Sequence, residues 1–101
     1  MRILVLFDLP VETPENRRDY SRFRKTLIQN GFIMLQKSVY CKLMTTPSVE
    51  NSVKKLVRDN KPPDGLVQIL TITEKQFTKM EYIVGKHHSD IIDSDERLVI
   101  L

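Results

Sequence analysis

Residues 3–10 read ILVLFDLP, a run of five apolar residues followed by an aspartate. Successive side chains of a β-strand point to opposite faces, so a strand over residues 2–9 is apolar on both. The two sets are Ile3, Val5 and Phe7 on one face and Leu4 and Leu6 on the other. Because both faces must be covered, the stretch predicts a central strand that ends at Asp8. By spacing alone, Asp8 is best explained as the start of the turn before Pro10.

Two helices are predicted from their start signals. Thr13 caps the first, Pro14 occupies its first position, and the helix runs to about Asn30 with Gly31 ending it. Thr46 and Pro47 repeat the same signal for a second helix. The buried stripe expected on this second helix consists of Val49, Val53, Leu56 and Val57.

Further strands are predicted over residues 32–43, 65–73, 80–84 and 97–101. The first of these is long, with a bulge considered near Gln36 and Lys37. EKQF, residues 74–77, is interpreted as a short turn. The order β-α-β-α-β-β, with its extra C-terminal strand, predicts a single α+β domain over residues 1–101. We expect a ferredoxin-like sandwich whose antiparallel sheet carries both helices on one face. The first and third strands are predicted to be central.

The second face of this sheet remains apolar after the helices have covered the first. The simplest cover is a second copy of the chain packed by twofold symmetry, so the pattern predicts a homodimer. A monomer is the alternative.

Composition narrows the class of protein further. Hydrophobic residues make up 41% of the chain and charged residues 29%, which excludes a disordered tail or a fibrous repeat. No apolar run approaches the roughly 18 residues that cross a bilayer, and the start of the chain does not resemble a signal peptide. Cys41 is the only cysteine and is predicted to be a buried apolar residue. Together these features predict a cytoplasmic protein without a membrane partner.

Charge is distributed unevenly, although the net charge is only +3. The segment RRDYSRFRK carries a single acid, Asp19, against five bases: Arg17, Arg18, Arg22, Arg24 and Lys25. This run is either a solvated helix face or a surface that binds a nucleic-acid backbone by charge. Weaker candidates for the same role are Lys37, Lys42, Lys54, Lys55 and Arg58.

Three segments in fixed order carry a resemblance to a known family. They are FDLP at the end of the first strand, RRDYSRFRKTLIQNGF through the first helix, and MLQKSVYCKL in the second strand. Together they resemble the CRISPR-associated Cas2 family, most closely its type II branch, over at least residues 3–43. TITEKQF, residues 71–77, is also similar.

The resemblance implies a ferredoxin-like homodimer in which the two copies of Asp8 bind Mg²⁺ or Mn²⁺ at the dimer axis. It implies phosphodiester cleavage by a magnesium-dependent endonuclease, an activity that spacer acquisition does not necessarily require. The family's second-strand serine falls on Ser38 and its helix-start arginine on Arg17 or Arg18. Many members have a further acid after the strand-terminal aspartate, and Glu12 matches that position only approximately.

The same resemblance implies a role in CRISPR adaptation. The dimer would bridge two integrase dimers and bind duplex prespacer DNA while a new spacer is acquired. The alternative is a toxin-like endoribonuclease of the same fold that acts on RNA independently of the integrase. No small-molecule ligand is expected, because the chain has no glycine-rich loop.

The remaining candidate residues are interpreted structurally or left between two explanations. Stacking on bases is possible for four aromatic residues that core packing explains better: Tyr20, Phe23, Phe32 and Tyr40. His87 and His88 are interpreted as part of a solvated loop. A contact with a basic surface of the integrase competes with plain solubility for the acids near the end of the chain: Asp90, Asp93, Asp95 and Glu96.

Overall fold

A computed structural model describes residues 1–85 of the chain. The elements in order are β1 (Arg2–Asp8), α1 (Pro14–Gln29), β2 (Ile33–Gln36), β3 (Val39–Leu43), α2 (Val49–Asp59), β4 (Leu66–Ile72) and α3 (Glu74–Thr78). The four strands form one antiparallel sheet in the order β2-β3-β1-β4. The predicted α+β class is confirmed. The element order is β-α-β-β-α-β followed by α3. The predicted order β-α-β-α-β-β is wrong, because two strands and not one lie between the two long helices.

The difference arises in residues 32–43, which form a hairpin and not one long strand. Gln36 pairs with Val39, and Lys37 and Ser38 make the turn between β2 and β3. Ser38 has a φ of 68°, a left-handed conformation that a residue with a side chain rarely adopts. The expected irregularity is present as a register shift between Met34 and Gln36.

β1 lies in the interior of the sheet, as predicted, because it pairs with β3 on one side and with β4 on the other. The third predicted strand, residues 65–73, corresponds to β4 and lies at an edge of the sheet formed by residues 1–85. Its predicted central position is wrong for this part of the chain, because β3 occupies that place.

The core lies between the helices and one face of β1. Phe23 and Leu27 of α1 and Val53 and Val57 of α2 belong to one buried cluster. The cluster also contains the predicted inner face of β1, namely Ile3, Val5 and Phe7, together with Tyr40 of β3. Both long helices therefore cover the same face of the sheet, as expected.

The predicted start of α1 is confirmed, whereas the predicted start of α2 is wrong. The Thr13 hydroxyl accepts a hydrogen bond from the Asn16 amide at 3.0 Å, and Pro14 begins α1 as predicted. α2 begins at Val49, later than predicted from Thr46 and Pro47. The Thr46 hydroxyl lies 3.1 Å from the Ser48 hydroxyl, while the Thr46 carbonyl accepts from the Val49 amide in a preceding turn. Thr46 is therefore not the cap.

Residues after β4 also differ from the prediction. EKQF is the main part of α3, which begins with a capping box between Thr73 and Gln76. Residues 80–84, predicted as a strand, have no regular secondary structure, and Ile83 and Val84 are 85% and 91% exposed. Among residues 1–85 no strand pairs with them. The Met80 amide donates instead to the Phe77 carbonyl, which continues the α3 turn. The predicted strand at residues 97–101 lies outside the described residues.

Gly65, immediately before β4, holds the chain against the end of β1. Its φ is +99°, and a Cβ placed there would lie 2.8 Å from the Asp8 carbonyl oxygen and 2.8 Å from Leu9 Cδ2. We expect Gly65→Ala to lower the free energy of unfolding by about 2–4 kcal/mol, combining left-handed strain with overpacking. Urea denaturation measures this change.

Gly85 offers a matched control for that substitution. Its φ is +97°, yet no described atom lies within 4 Å of its Cβ position. Gly85→Ala should therefore cost only the strain, about 1 kcal/mol. Equal losses for the two variants would contradict the tight contact between Gly65 and the end of β1.

Candidate functional site

The face of the sheet opposite the helices, hereafter the open face, changes character along the strands. One row across it is apolar and consists of Ile33, Cys41, Leu4 and Leu70. The next row toward the end of β1 consists of Gln36, Val39, Leu6 and Gln68. Amide side chains thus flank the second row on its two outer strands. The open face has an apolar middle and a polar end.

The outer parts of this apolar surface are exposed to solvent, whereas Leu4 and Cys41 in its middle are buried. Leu43, Leu66 and Leu70 are 53%, 55% and 52% exposed. Monomeric proteins rarely leave contiguous apolar patches of this kind uncovered. The second apolar face predicted from Leu4 and Leu6 is therefore present.

Asp8 lies at the polar end of the open face. It is the last residue of β1, is exposed, and is paired in register with Leu66. It lines an open depression of about 300 Å³ that also contains Gln36, Lys37 and Gln68. Among residues 1–85, no side chain forms a hydrogen bond or ion pair with its carboxylate. The carboxylate is therefore available to a ligand.

The aromatic core behind Asp8 fixes the end of β1. The Phe7 ring lies 5.2 Å from the Phe23 ring and 5.7 Å from the Tyr40 ring, measured between centroids. Such contacts stabilise the side chain beyond the burial of its area. Because adjacent residues of a strand face opposite sides, the anchoring of Phe7 in the core directs Asp8 toward the open face.

Ser38, expected from the family motif, also lines the depression. Its carbonyl accepts a hydrogen bond from the Phe7 amide at 3.0 Å, and its hydroxyl lies 3.5 Å from the Tyr20 hydroxyl. These contacts hold the strained β2–β3 turn against the end of β1. Ser38 therefore contributes to the architecture of the site.

The oxygen donors at this end of the sheet suit a hard divalent cation, but one chain supplies only part of a site. Residues 1–85 contain no cluster of three or more His, Cys, Asp or Glu side chains able to hold a metal. Mg²⁺ binds proteins through one or two carboxylates and retains several waters. An exposed Asp8 with no ion-pair partner in the described chain fits such a half-site. Glu12 is exposed and does not line the depression.

The five predicted basic residues of α1 are all exposed but are not equivalent. The Arg17 guanidinium donates to the carbonyl oxygens of Val11 and Glu12, at 3.0 and 3.3 Å. Arg17 therefore braces the loop after β1. Arg22 lies 3.9 Å from the Asp19 carboxylate, a weak surface pair. Within the described part of the chain, no acid pairs with the remaining three, Arg18, Arg24 and Lys25.

The other end of the open face is partly closed by α3. The Arg2 guanidinium pairs with Glu74 at 2.8 Å and lies 4.0 Å from the centre of the Phe77 ring. It also donates to the Cys41 sulfur at 3.8 Å. No sequence pattern predicts this contact, because it joins residues that are more than 70 positions apart. It leaves the Asp8 end of the face uncovered.

The structure also tests the predictions for the aromatic residues, for Cys41 and for membrane-spanning helices. Phe23, Phe32 and Tyr40 are buried, which confirms their interpretation as core residues, and Tyr20 is half-buried against Phe7. Cys41 is fully buried as predicted, and this burial raises the pKa of its thiol. The histidines at 87 and 88 and the acids after them lie outside the described residues. No helix within residues 1–85 is long and apolar enough to cross a membrane.

The topology of the sheet and helices defines the class of protein. An antiparallel β2-β3-β1-β4 sheet with two long helices on one face is a ferredoxin-like α+β domain. A crystal structure of Streptococcus pyogenes Cas2 at pH 6.5 has the same fold, with a TM-score of 0.65 and 20% identity. The match covers 83% of this chain and 100% of that one.

Sequence comparison identifies the family within this class. The family model described as CRISPR associated protein Cas2 matches residues 1–80. A relative from Treponema denticola, named CRISPR-associated endoribonuclease Cas2, is 56% identical over the full length of both chains. A relative of the same name from Streptococcus mutans is 44% identical, covering 100% of this chain and 93% of its own. The chain belongs to the CRISPR-associated Cas2 family, and the resemblance drawn from its motifs is confirmed.

Proposed function

We propose that this chain is a homodimeric, magnesium-dependent endonuclease of CRISPR adaptation in which Asp8 from each copy contributes half of one metal site. The observation that carries the proposal is the exposed Asp8 carboxylate at the polar end of an otherwise apolar sheet face. Both relatives are named endoribonucleases, which supports nuclease activity for this chain.

The apolar middle of the open face supplies the reason for the dimer. Exposed leucines on β3 and β4 would be buried if two open faces packed together about a twofold axis. Burial of apolar surface favours association by about 25 cal/mol per Å² before the costs of association. In such a dimer each Asp8 would approach the polar end of its partner's sheet, and two carboxylates would become available to one cation.

The proposed chemistry requires little from the protein beyond positioning. When bound, Mg²⁺ or Mn²⁺ would polarise a phosphodiester and lower the pKa of a coordinated water. Asp8 holds the charge that attracts the cation, and the rigid end of β1 fixes its position.

Metal dependence and the role of Asp8 are tested together by cleavage assays. Labelled single-stranded RNA and duplex DNA would be incubated with purified protein in magnesium, in manganese and in EDTA. We expect cleavage only in the presence of the divalent cation, and we expect the Asp8→Asn protein to lose this cleavage. Cleavage that continues unchanged in EDTA would exclude the proposed site. Preferential cleavage of RNA would favour the toxin-like endoribonuclease over the adaptation nuclease.

A second candidate function is a DNA-binding scaffold that bridges two integrase dimers, whether or not the chain also cleaves. It is favoured by the basic surface of α1, where Arg18, Arg24 and Lys25 are exposed without acidic partners in the described chain. Twofold symmetry would double this surface. Contacts of this kind read charge and shape and carry no base sequence.

Charge reversal on α1 tests whether this surface binds DNA. Replacing Arg18, Arg24 and Lys25 together with Glu should weaken binding of a 30-base-pair duplex about 100-fold at low salt, because up to six phosphate contacts per dimer are lost. Fluorescence anisotropy measures the affinity. The comparison variant makes the same change of net charge around α2, at Lys61 and at the weaker candidates Lys55 and Arg58. Equal weakening in both triple variants would show that bulk charge, and not the α1 surface, binds the duplex.

A further inference from the structure

We infer that the β2–β3 turn forms a phosphate-binding half-site beside Asp8, with the Lys37 ammonium as its charged contact and the Gln36 and Gln68 amides as hydrogen-bond donors. Its ligand is the phosphodiester backbone of a single-stranded nucleic acid. The inference rests on the proposed function, because it assigns the residues that would hold the substrate backbone next to the metal-binding carboxylate.

The sheet register brings these side chains to one end of the open face. Gln36 and Gln68 stand at the two ends of a row that crosses all four strands, with Val39 and Leu6 between them. Three strand spacings separate the two amides, about 14 Å. Asp8 lies two residues beyond Leu6 on β1, and all these residues line the same depression. An extended backbone of two or three nucleotides matches this width.

The charge of this depression comes from Lys37 and Asp8 alone among the residues that line it. Lys37 is exposed and forms no ion pair within 4.0 Å, with Asp8 or with any other acid among residues 1–85. Its ammonium is thus free to neutralise a phosphate oxygen while Asp8 serves the cation. A lysine ammonium beside a metal-binding carboxylate would add to the attraction of the metal for a phosphate.

The turn is held in place before any ligand arrives. Ser38 keeps its left-handed conformation through the hydrogen bond from the Phe7 amide, and its hydroxyl is near the Tyr20 hydroxyl. Non-glycine residues persist in such conformations only where the surrounding structure determines them, often at binding sites. The backbone of Lys37 is therefore fixed relative to Asp8, which lowers the entropy lost when a phosphate binds.

The test measures binding without cleavage. A fluorescein-labelled 20-nucleotide RNA in EDTA would be titrated with Asp8→Asn protein and with the double variant that also carries Lys37→Met. Loss of one phosphate contact per chain should reduce the slope of log affinity against log salt by about 1.4 per dimer. Affinity at low salt should fall about tenfold, and Lys37→Arg should restore it.

Lys61→Met serves as the matched control, because Lys61 is exposed just after α2 and does not line the depression. It should leave the salt slope of the Asp8→Asn protein unchanged. An unchanged slope in the Lys37 variant, or an equal change in the Lys61 control, would overturn the inference. The proposed function fails separately, if magnesium-dependent cleavage persists without Asp8. In cleavage assays on the otherwise intact protein, Lys37→Met should raise KM more than it lowers kcat.

Discussion

Asp8→Asn should lower the proposed magnesium-dependent cleavage by about 100-fold or more while leaving the proposed dimer and the fold intact. The substitution keeps the size of the side chain and removes the charge that would attract the cation. Stabilisation of transition-state charge by a bound metal amounts to several kcal/mol, and each 1.36 kcal/mol corresponds to about tenfold in rate. Initial rates on labelled RNA and duplex DNA at saturating magnesium measure the effect.

Asp59→Asn is the matched control for this prediction. It makes the same chemical change on an exposed carboxylate, at the end of α2 and away from the open face. Its cleavage rate should equal that of the original protein. Cleavage by Asp8→Asn within a few-fold of the original rate would remove Asp8 from the active site, and equal losses in both variants would indicate a non-specific effect.

Leu70→Glu should convert the proposed dimer to a monomer at micromolar concentration. Leu70 is 52% exposed in the single chain and lies in the apolar row of the open face, opposite Leu4. A carboxylate there remains hydrated in the monomer but would be buried twice, by symmetry, in the dimer. We expect the dissociation constant to rise at least about 100-fold, since 1.4 kcal/mol per copy already gives that factor. Light scattering should report a mass of 11.8 kDa in place of twice that value.

The control for the dimer prediction is Ile28→Glu. Ile28 is 45% exposed on α1, outside the open face, so the same apolar-to-acid change should leave the mass unchanged. Circular dichroism verifies that both variants remain folded. Leu70→Glu should also lose cleavage, because a monomer has only one Asp8. A dimeric Leu70→Glu protein would contradict packing through the open face.

The sequence predicts β1 and α1 correctly, because their signals are local. A continuous run of apolar residues defines β1, and Thr13, Pro14 and Gly31 mark the two ends of α1. The β2–β3 hairpin was missed because its turn, Lys37–Ser38, contains neither glycine nor asparagine. Ser38 adopts the left-handed conformation only because contacts with Phe7 and Tyr20 hold it there, and tertiary contacts of this kind leave no local pattern.

Only part of the candidate site can be predicted from the sequence. Asp8 stood out as a charge at the end of an apolar strand, and the family resemblance gave it a role that spacing alone did not. The other residues around it come from distant strands whose register only the fold supplies, as with Gln36 and Gln68. Arg17 was grouped with the nucleic-acid surface because its helical position fits, whereas its guanidinium braces the loop after β1.

The claim that two copies of Asp8 make one site is tested most directly by the stoichiometry of metal binding. Mn²⁺ binding to the purified protein would be followed by electron paramagnetic resonance, which distinguishes bound from free ion. We expect one bound Mn²⁺ for every two chains and no bound Mn²⁺ in Asp8→Asn. One Mn²⁺ per chain, or equal binding by the Asp8→Asn protein, would contradict it.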